Sequence, residues 1–194
     1  MANFNTSYFV CAFIGIILGS IPTAYIILKK FRSLDITKEG SGNVGTLNSF
    51  EVTNSKLIGI SVFIIDFGKG LLSVFIVNNL YSADFTLMAL ALFSAVLAHC
   101  FSPWLNFKGG RGIATAAGGA SALFPVLLFL WIAFWVLMYL FKKDIHLSNI
   151  VATVMVILVS IFYSDLLNKY STPPAESNLL FGTYVSIIML IVLY

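Results

Sequence analysis

The residues best suited to chemistry lie in one polar, glycine-rich segment, residues 98–115, inside an otherwise apolar sequence. Its three glycines and two cations are Gly109, Gly110, Gly112, Lys108 and Arg111. Glycine backbones can turn successive N–H groups into one concavity, and two cations beside it favour a bound phosphate. A helix beginning at Ile113 would add its positive end at the same place. The alternatives are a plain turn between membrane helices and cations that only set the topology.

A second polar loop, residues 35–48, lies nearer the N-terminus. Its glycines alternate with short polar side chains, namely Gly40, Ser41, Gly42, Asn43, Gly45 and Asn48. Such a loop can turn sharply and present hydroxyl, amide and backbone donors to a ligand. The alternative is a flexible, solvated connector. Two polar loops on one membrane face favour a single shared site.

Asp66 and Lys69 fall near the middle of an apolar segment. Charges inside a membrane are costly and usually pair or line a polar cavity. Because residues three apart share a helix face, we predict that these two pair and avoid lipid; ligand contact is the alternative. His99, at the end of the next apolar segment, can position a loop or move a proton, or simply pack there. Residues 146–149 are interpreted as an ordinary helix start.

Composition indicates an all-α polytopic membrane protein forming one domain, residues 1–194. The 194 residues are 59% hydrophobic and 10% charged, with a mean hydropathy of +0.97, whereas soluble domains carry about 25% charged residues. The net charge of +3 does not suggest nucleic-acid binding. With two cysteines and two histidines, neither a disulfide nor a metal cluster is expected. The first apolar run is interpreted as a retained helix, not a cleaved signal.

The hydropathy pattern predicts six full spans and one shorter piece. The full spans are residues 8–28, 57–77, 85–101, 126–141, 147–166 and 179–194, and the shorter piece is 113–123. Pro22 should kink the first span, and Gly15 and Gly19 offer it a close-packing face. Counting all seven, the basic residues gather on one side, which predicts the N-terminus outside. The loops 29–56 and 102–118 should then meet at the cytoplasmic face.

Three of these segments together resemble the bacterial acyl-phosphate:glycerol-3-phosphate acyltransferases, integral membrane enzymes of phospholipid synthesis. The resemblance is carried by Gly40-Ser41-Gly42-Asn43, Asp66-Phe67-Gly68-Lys69-Gly70 and Phe107-Lys108-Gly109-Gly110-Arg111-Gly112. It implies seven helices, an outside N-terminus and a place in the inner (cytoplasmic) membrane. It also implies transfer of a fatty acyl group from acyl phosphate to glycerol 3-phosphate, giving lysophosphatidic acid, with no metal or cofactor.

The resemblance implies roles for individual residues as well. The residues expected to be catalytic are Ser41, Lys108 and Arg111. Those expected to bind substrate are Gly40, Gly42, Asn43, Asn48, His99, Gly109, Gly110 and Gly112. Membrane lipids surround the protein, and other membrane proteins are allowed as partners.

Two positions and one motif depart from the family pattern. Glu51 stands where the family has an arginine, and Arg111 stands where it has a lysine. The family also carries a His-x-x-Asn motif after its last helix, whereas this sequence ends at Tyr194; residues 146–149 share the spacing but are not matched to it. An inward-facing Glu51 would repel phosphate unless it turns away or pairs, with Lys56 or Arg32 as the nearest candidates.

These departures leave two further functions open. One is a non-catalytic relative that serves as a lipid- or phosphate-binding subunit of a membrane complex. The other is a small transporter, which is less favoured because no inverted repeat is visible and the charges cluster on one face.

Overall fold

The computed structural model describes residues 4–193, with side chains from Thr6 onward. Over this range the chain forms ten α-helices and two single 3₁₀ turns, Ile36–Lys38 and Pro103–Leu105, with no strand. The helices are α1 Phe4–Ser20, α2 Thr23–Arg32, α3 Thr46–Thr53, α4 Lys56–Leu80, α5 Phe85–Cys100, α6 Ile113–Leu123, α7 Pro125–Lys142, α8 Ile145–Phe162, α9 Ser164–Asn168 and α10 Asn178–Leu193. The predicted all-α fold class is confirmed.

Five helical stretches among the described residues are long and apolar enough to cross a membrane. They are Thr6–Arg32, Lys56–Leu80, Phe85–Leu105, Pro125–Lys142 and Ile145–Phe162. The apolar helices α6 and α10 are shorter. Large apolar side chains on α7 point outward, including Phe129 at 69% and Phe141 at 81% exposure, which suits a lipid-facing surface. The count of seven crossings and the outside N-terminus stay predictions.

Three predicted segments differ from the observed helices. The first span is interrupted at Pro22, which has no N–H for the helix ladder, so α1 ends at Ser20 and α2 begins at Thr23. The predicted span 147–166 ends at Phe162, and the short α9 follows. The loop 29–56 is more than a solvated connector, because it contains α3.

Small residues allow two close helix contacts. The first is between α1 and α5, where a Cβ at Gly19 would fall on the backbone of Ala95. The second is between α4 and α6, where a Cβ at Gly70 or Gly118 would fall on a carbonyl of the other helix. Packing of this kind is how membrane helices associate when lipid removes the hydrophobic drive. It holds α6 firmly against the middle of α4.

One end of the bundle gathers the two predicted polar loops. Asp35 caps the first 3₁₀ turn, and the Thr37 hydroxyl donates to its carboxylate at 2.6 Å, which holds the pKa of Asp35 below its usual value. Farther along, the Val44 N–H donates to the Gly109 carbonyl at 3.5 Å, so the loops meet as expected. Which membrane face they occupy stays a prediction.

At the opposite end of the bundle, beyond α8, one side chain holds the connecting loop in place. Asn168 Nδ2 donates to the Ala175 carbonyl at 3.0 Å, and its Oδ1 accepts from the Ala175 N–H at 2.7 Å. The Ser171 hydroxyl donates to the same oxygen at 3.0 Å. These bonds fasten the loop between α9 and α10.

Candidate functional site

A cavity of about 530 Å³ opens where α3, α4, α5, α6 and α8 converge. Its polar lining consists of Ser41, Asn43, Thr46, Asn48, Glu51, Lys56, Asp66, His99, Arg111, His146 and Asn149. Apolar side chains line another part of it, among them Ile60, Phe63 and Ile113. A cavity with convergent polar groups and an apolar side suits a ligand with a charged head and an acyl chain.

Asn48 organises the loop that carries Ser41 and Asn43. Its buried side chain accepts from the Ser41 N–H at 3.0 Å and donates to the carbonyls of Glu39 and Asn43 at 3.1 and 3.0 Å. Gly40 has a φ of +57°, and a Cβ there would fall on the Asn48 amide. Asn48 therefore positions the loop, since its amide is already occupied, while Ser41 and Asn43 line the cavity.

The cavity floor contains a buried network of charge. Lys69 Nζ lies 2.6 Å from Asp66 Oδ1, and the two side chains are only 4% and 2% exposed, as their spacing predicted. Lys69 also donates to the Ile21 carbonyl at the break between α1 and α2. His99 Nδ1 lies 3.9 Å from Asp66 and 3.3 Å from the Thr115 hydroxyl. Asp66 and His99 both reach the cavity lining.

The glycine-rich segment is held by the end of α5. The Gly109 N–H donates to the Cys100 carbonyl at 2.9 Å, and the Gly110 N–H donates to the His99 carbonyl at 3.2 Å. The expected anion concavity is therefore wrong for these two N–H groups, because both already have acceptors. A Cβ at Gly110 would also fall on the His99 ring, so glycine is needed there to seat the imidazole.

Gly112 and the start of α6 supply the remaining backbone donors. Gly112 has a φ of +75°, precedes the helix and lines the cavity together with Ile113 and Ala114. Its carbonyl begins the helix by accepting from the Ala116 N–H at 2.8 Å. The first N–H groups of a helix have no partner within it and carry its positive end. The predicted positive helix end therefore faces the cavity.

The charged side chains differ in how they reach the cavity. Arg111 lines it, and its Nη1 lies 2.6 Å from Nδ1 of His146. Lys108 is exposed and lies outside the lining, so its catalytic role stays a prediction without a cavity contact. Glu51 and Lys56 both line the cavity. Within the described residues Glu51 forms no ion pair, so neither pairing expected for it is observed.

Sequence reasoning missed His146 and Asn149 as site residues. The helix start is capped by Asp144, whose carboxylate accepts from the Leu147 N–H at 2.9 Å. Residues 146–149 do lie at the start of α8, but the cap is Asp144, and His146 and Asn149 also line the cavity. Their spacing of three, which puts both side chains on one helix face, is the sequence signal that could have found them. Thr46 was also missed, and its buried hydroxyl has no partner among the described residues.

Comparisons with known proteins agree on one family. A family model described as glycerol-3-phosphate acyltransferase matches residues 9–194. The glycerol-3-phosphate acyltransferase of Helicobacter acinonychis (strain Sheeba) is 32% identical over 169 residues, covering 82% of this chain and 75% of the relative. That of Pelagibacter ubique (strain HTCC1062) is 36% identical over 161 residues, covering 81% of each.

Two solved structures share the fold. Both are of PlsY, an integral membrane glycerol 3-phosphate acyltransferase, one in its glycerol 3-phosphate form and one in its lysophosphatidic acid form. The TM-scores are 0.79 and 0.77 at 28% identity, covering 97% of this chain and 87% of the other.

Proposed function

The chain belongs to the glycerol-3-phosphate acyltransferase family, and we propose that it transfers a fatty acyl group from acyl phosphate to glycerol 3-phosphate. The product is lysophosphatidic acid, and the protein is a multi-pass membrane enzyme of phospholipid synthesis. We place it in the cytoplasmic membrane, with the cavity at the cytoplasmic face. The observation that carries the proposal is the single cavity in which Arg111, Ser41 and the positive end of α6 meet.

The phosphate groups of both substrates need positive charge and hydrogen-bond donors. Arg111 offers a planar fork of N–H groups that matches phosphate oxygens, and it cannot lose its charge. The first N–H groups of α6 point to the same region. The Ser41 and Thr46 hydroxyls and the Asn43 amide add donors from other parts of the lining. These groups can orient the acceptor hydroxyl against the donor.

Acyl phosphate is already activated, so positioning can supply much of the rate. The acceptor hydroxyl attacks the acyl carbonyl, the carbon–oxygen bond to phosphate breaks, and phosphate leaves with that electron pair and takes up the hydroxyl proton. The negative charge that develops on the carbonyl oxygen needs donors placed beforehand. Arg111 and the α6 N–H groups are the candidates, and the acyl chain lies along Ile60 and Phe63.

A non-catalytic relative remains the second candidate because of Glu51. Its carboxylate lines the cavity without an ion pair in the described part of the chain, and this opposes binding of a dianion. In that case the cavity would hold a lipid or phosphate ligand without turnover.

The test is an assay of the purified chain in detergent with palmitoyl phosphate and glycerol 3-phosphate. We expect lysophosphatidic acid and free phosphate in equal amounts. Arg111→Gln should abolish most of the activity. The control is Lys142→Gln, which removes an exposed cation outside the cavity lining and should keep it. Phosphate binding without product in the wild type would support the second candidate instead.

A further inference from the structure

We propose that His146, together with Arg111, binds the phosphate group of a substrate, and that Asn149 adds a donor from the same face of α8. The identity of the phosphate compound rests on the proposed function, under which it is either glycerol 3-phosphate or acyl phosphate. The starting observation is that His146 and Asn149, on α8, line the same cavity as Arg111, which lies in the glycine-rich segment before α6.

The contact between Arg111 and His146 determines which ring nitrogen carries the proton. A guanidinium only donates, so His146 Nδ1 accepts from Arg111 Nη1 at 2.6 Å. The neutral ring then holds its proton on Nε2, which remains a donor. When an anion binds Arg111, the Nε2–H of His146 can donate to the same anion. Arg111 and His146 can thus bind phosphate oxygens together, and we call them the Arg111–His146 pair.

Asn149 is oriented for the same purpose. Its Oδ1 accepts from Trp135 Nε1 at 2.7 Å, which fixes the direction of the amide. The Nδ2 group, on the other side of that amide, makes no hydrogen bond to any residue that the structure describes. Since Asn149 is half-buried in the cavity wall, its two N–H donors are available to a ligand there.

Neither residue is needed to begin the helix. Asp144 already caps α8, and the Ser148 hydroxyl donates to the Asp144 carbonyl at 2.6 Å. His146 is exposed, so it does not fill the core. Its side-chain hydrogen bond is to Arg111. The contacts of His146 therefore give no purely structural reason for a histidine at this position.

The charges that line the cavity do not by themselves match a phosphate group. The ionisable groups that face the cavity are Glu51 from α3, Lys56 and Asp66 from α4, His99 from α5, Arg111 from the glycine-rich segment and His146 from α8. Asp66 is balanced by Lys69. Lys56 and Arg111 then stand against Glu51, an excess of one positive charge, whereas a phosphate monoester carries close to two negative charges. Hydrogen-bond donors such as the His146 ring and the Asn149 amide are therefore needed beside Arg111.

The experiment compares wild type, His146→Ala and His146→Gln, with Lys142→Gln as the matched control, all purified as the full chain. KM is measured for glycerol 3-phosphate at saturating palmitoyl phosphate, and then for palmitoyl phosphate at saturating glycerol 3-phosphate. We expect one KM to rise at least tenfold in His146→Ala, with a smaller change in kcat and no change in thermal unfolding. For His146→Gln, which keeps an N–H donor in a side chain of another shape, the KM should fall between the values for wild type and His146→Ala.

The two arms identify the source of the phosphate. If only the KM for glycerol 3-phosphate rises, the Arg111–His146 pair binds the phosphate of the acceptor. If only the KM for palmitoyl phosphate rises, the pair binds the phosphate of the acyl donor. Both KM values within twofold of wild type would overturn the proposal.

Binding of inorganic phosphate, followed by calorimetry, separates this inference from the proposed function. We expect His146→Ala and Asn149→Ala each to weaken it severalfold. If the wild type makes no lysophosphatidic acid, the proposed function fails. Weaker phosphate binding by His146→Ala would still support phosphate binding by the Arg111–His146 pair. Equal affinity in wild type and His146→Ala, or no binding by wild type, would contradict it.

Discussion

The two ends of the helical bundle each contain a loop fastened by an asparagine, but they use it differently. At the far end Asn168 bonds to Ala175 and Ser171. At the cavity end Asn48 does the same for the loop of Ser41 and Asn43. In both cases a buried amide replaces the secondary structure that the loop lacks, because buried backbone groups must find partners.

The difference lies in what surrounds each fastening. The far end has one exposed ion pair, between Lys169 and Asp165 at 3.4 Å, and Glu176 in its loop forms none with the described residues. The cavity end also has groups without partners among the described residues, the Glu51 carboxylate without an ion pair and the Thr46 hydroxyl without a hydrogen bond. The difference is that Glu51 and Thr46 line a cavity, so a ligand can reach them. Groups without partners that line a cavity, and not unpaired charge alone, distinguish the site.

The largest effect should come from Lys69→Met, compared with Lys169→Met. Removing one partner of a buried pair leaves an uncompensated charge and costs about 3–5 kcal/mol. The pair of Lys169 and Asp165 is exposed, and such pairs contribute only about 0.2–1 kcal/mol. Unfolding of both variants in the same detergent checks this. Equal losses would mean that Asp66 and Lys69 are not coupled as the structure shows.

Next in size is Arg111→Gln, set against Lys169→Gln at the far end. Loss of the charged fork should lower kcat/KM for acyl transfer by about 10²–10³-fold, the range for removing one preorganised donor to a developing charge. Lys169→Gln should leave kcat/KM unchanged. A similar decrease in both variants would show that the site is not confined to the cavity end.

Asn48→Ala and Asn168→Ala form a matched pair with smaller effects. Each leaves buried groups without partners, at a cost of about 1–3 kcal/mol per group, so both should lower the unfolding temperature. Only Asn48→Ala should raise a substrate KM, because only that loop carries cavity residues. Kinetics well below the unfolding temperature separate the two effects. A raised KM in Asn168→Ala alone would reverse the assignment of the two ends.

The smallest effect is expected from Glu51→Gln. Removing the unpaired carboxylate relieves its repulsion of phosphate, and about 1.4 kcal/mol corresponds to a tenfold change in affinity. We expect the KM of a phosphate substrate to fall severalfold, and Glu51→Arg to lower it further. The control is Glu176→Gln in the loop of the far end. A KM that rises in Glu51→Gln would mean that the carboxylate binds substrate directly.

Much of the fold followed from hydropathy, because the apolar runs were long and clearly bounded. The prediction of a helix over residues 113–123 matches α6. The pairing of Asp66 with Lys69 followed from a spacing that operates within one helix. The division at Pro22 was expected only as a kink.

The features that the sequence did not predict depend on contacts between segments that are distant along the chain. The N–H groups of Gly109 and Gly110 were assigned to a ligand, but the end of α5 uses them, which no local rule anticipates. For residues 146–149 the sequence predicts only a helix start, because the place of His146 beside Arg111 depends on how α8 packs against the rest of the protein. Residues 46–53 have little periodic pattern, so α3 was not expected.

The short length of α6 sets how far its positive end lies inside the helical bundle. Its 11 residues rise about 16 Å, roughly half of a hydrocarbon core about 30 Å thick. Its first turn packs at Gly70, 14 residues after the start of α4 at Lys56, which is about 21 Å along that helix. The positive end of α6 therefore lies well inside the bundle, measured from the start of α4. Under the proposed function, a water-soluble acceptor then reaches the acyl chain between the helices, and the new lipid can leave sideways between them without passing through water.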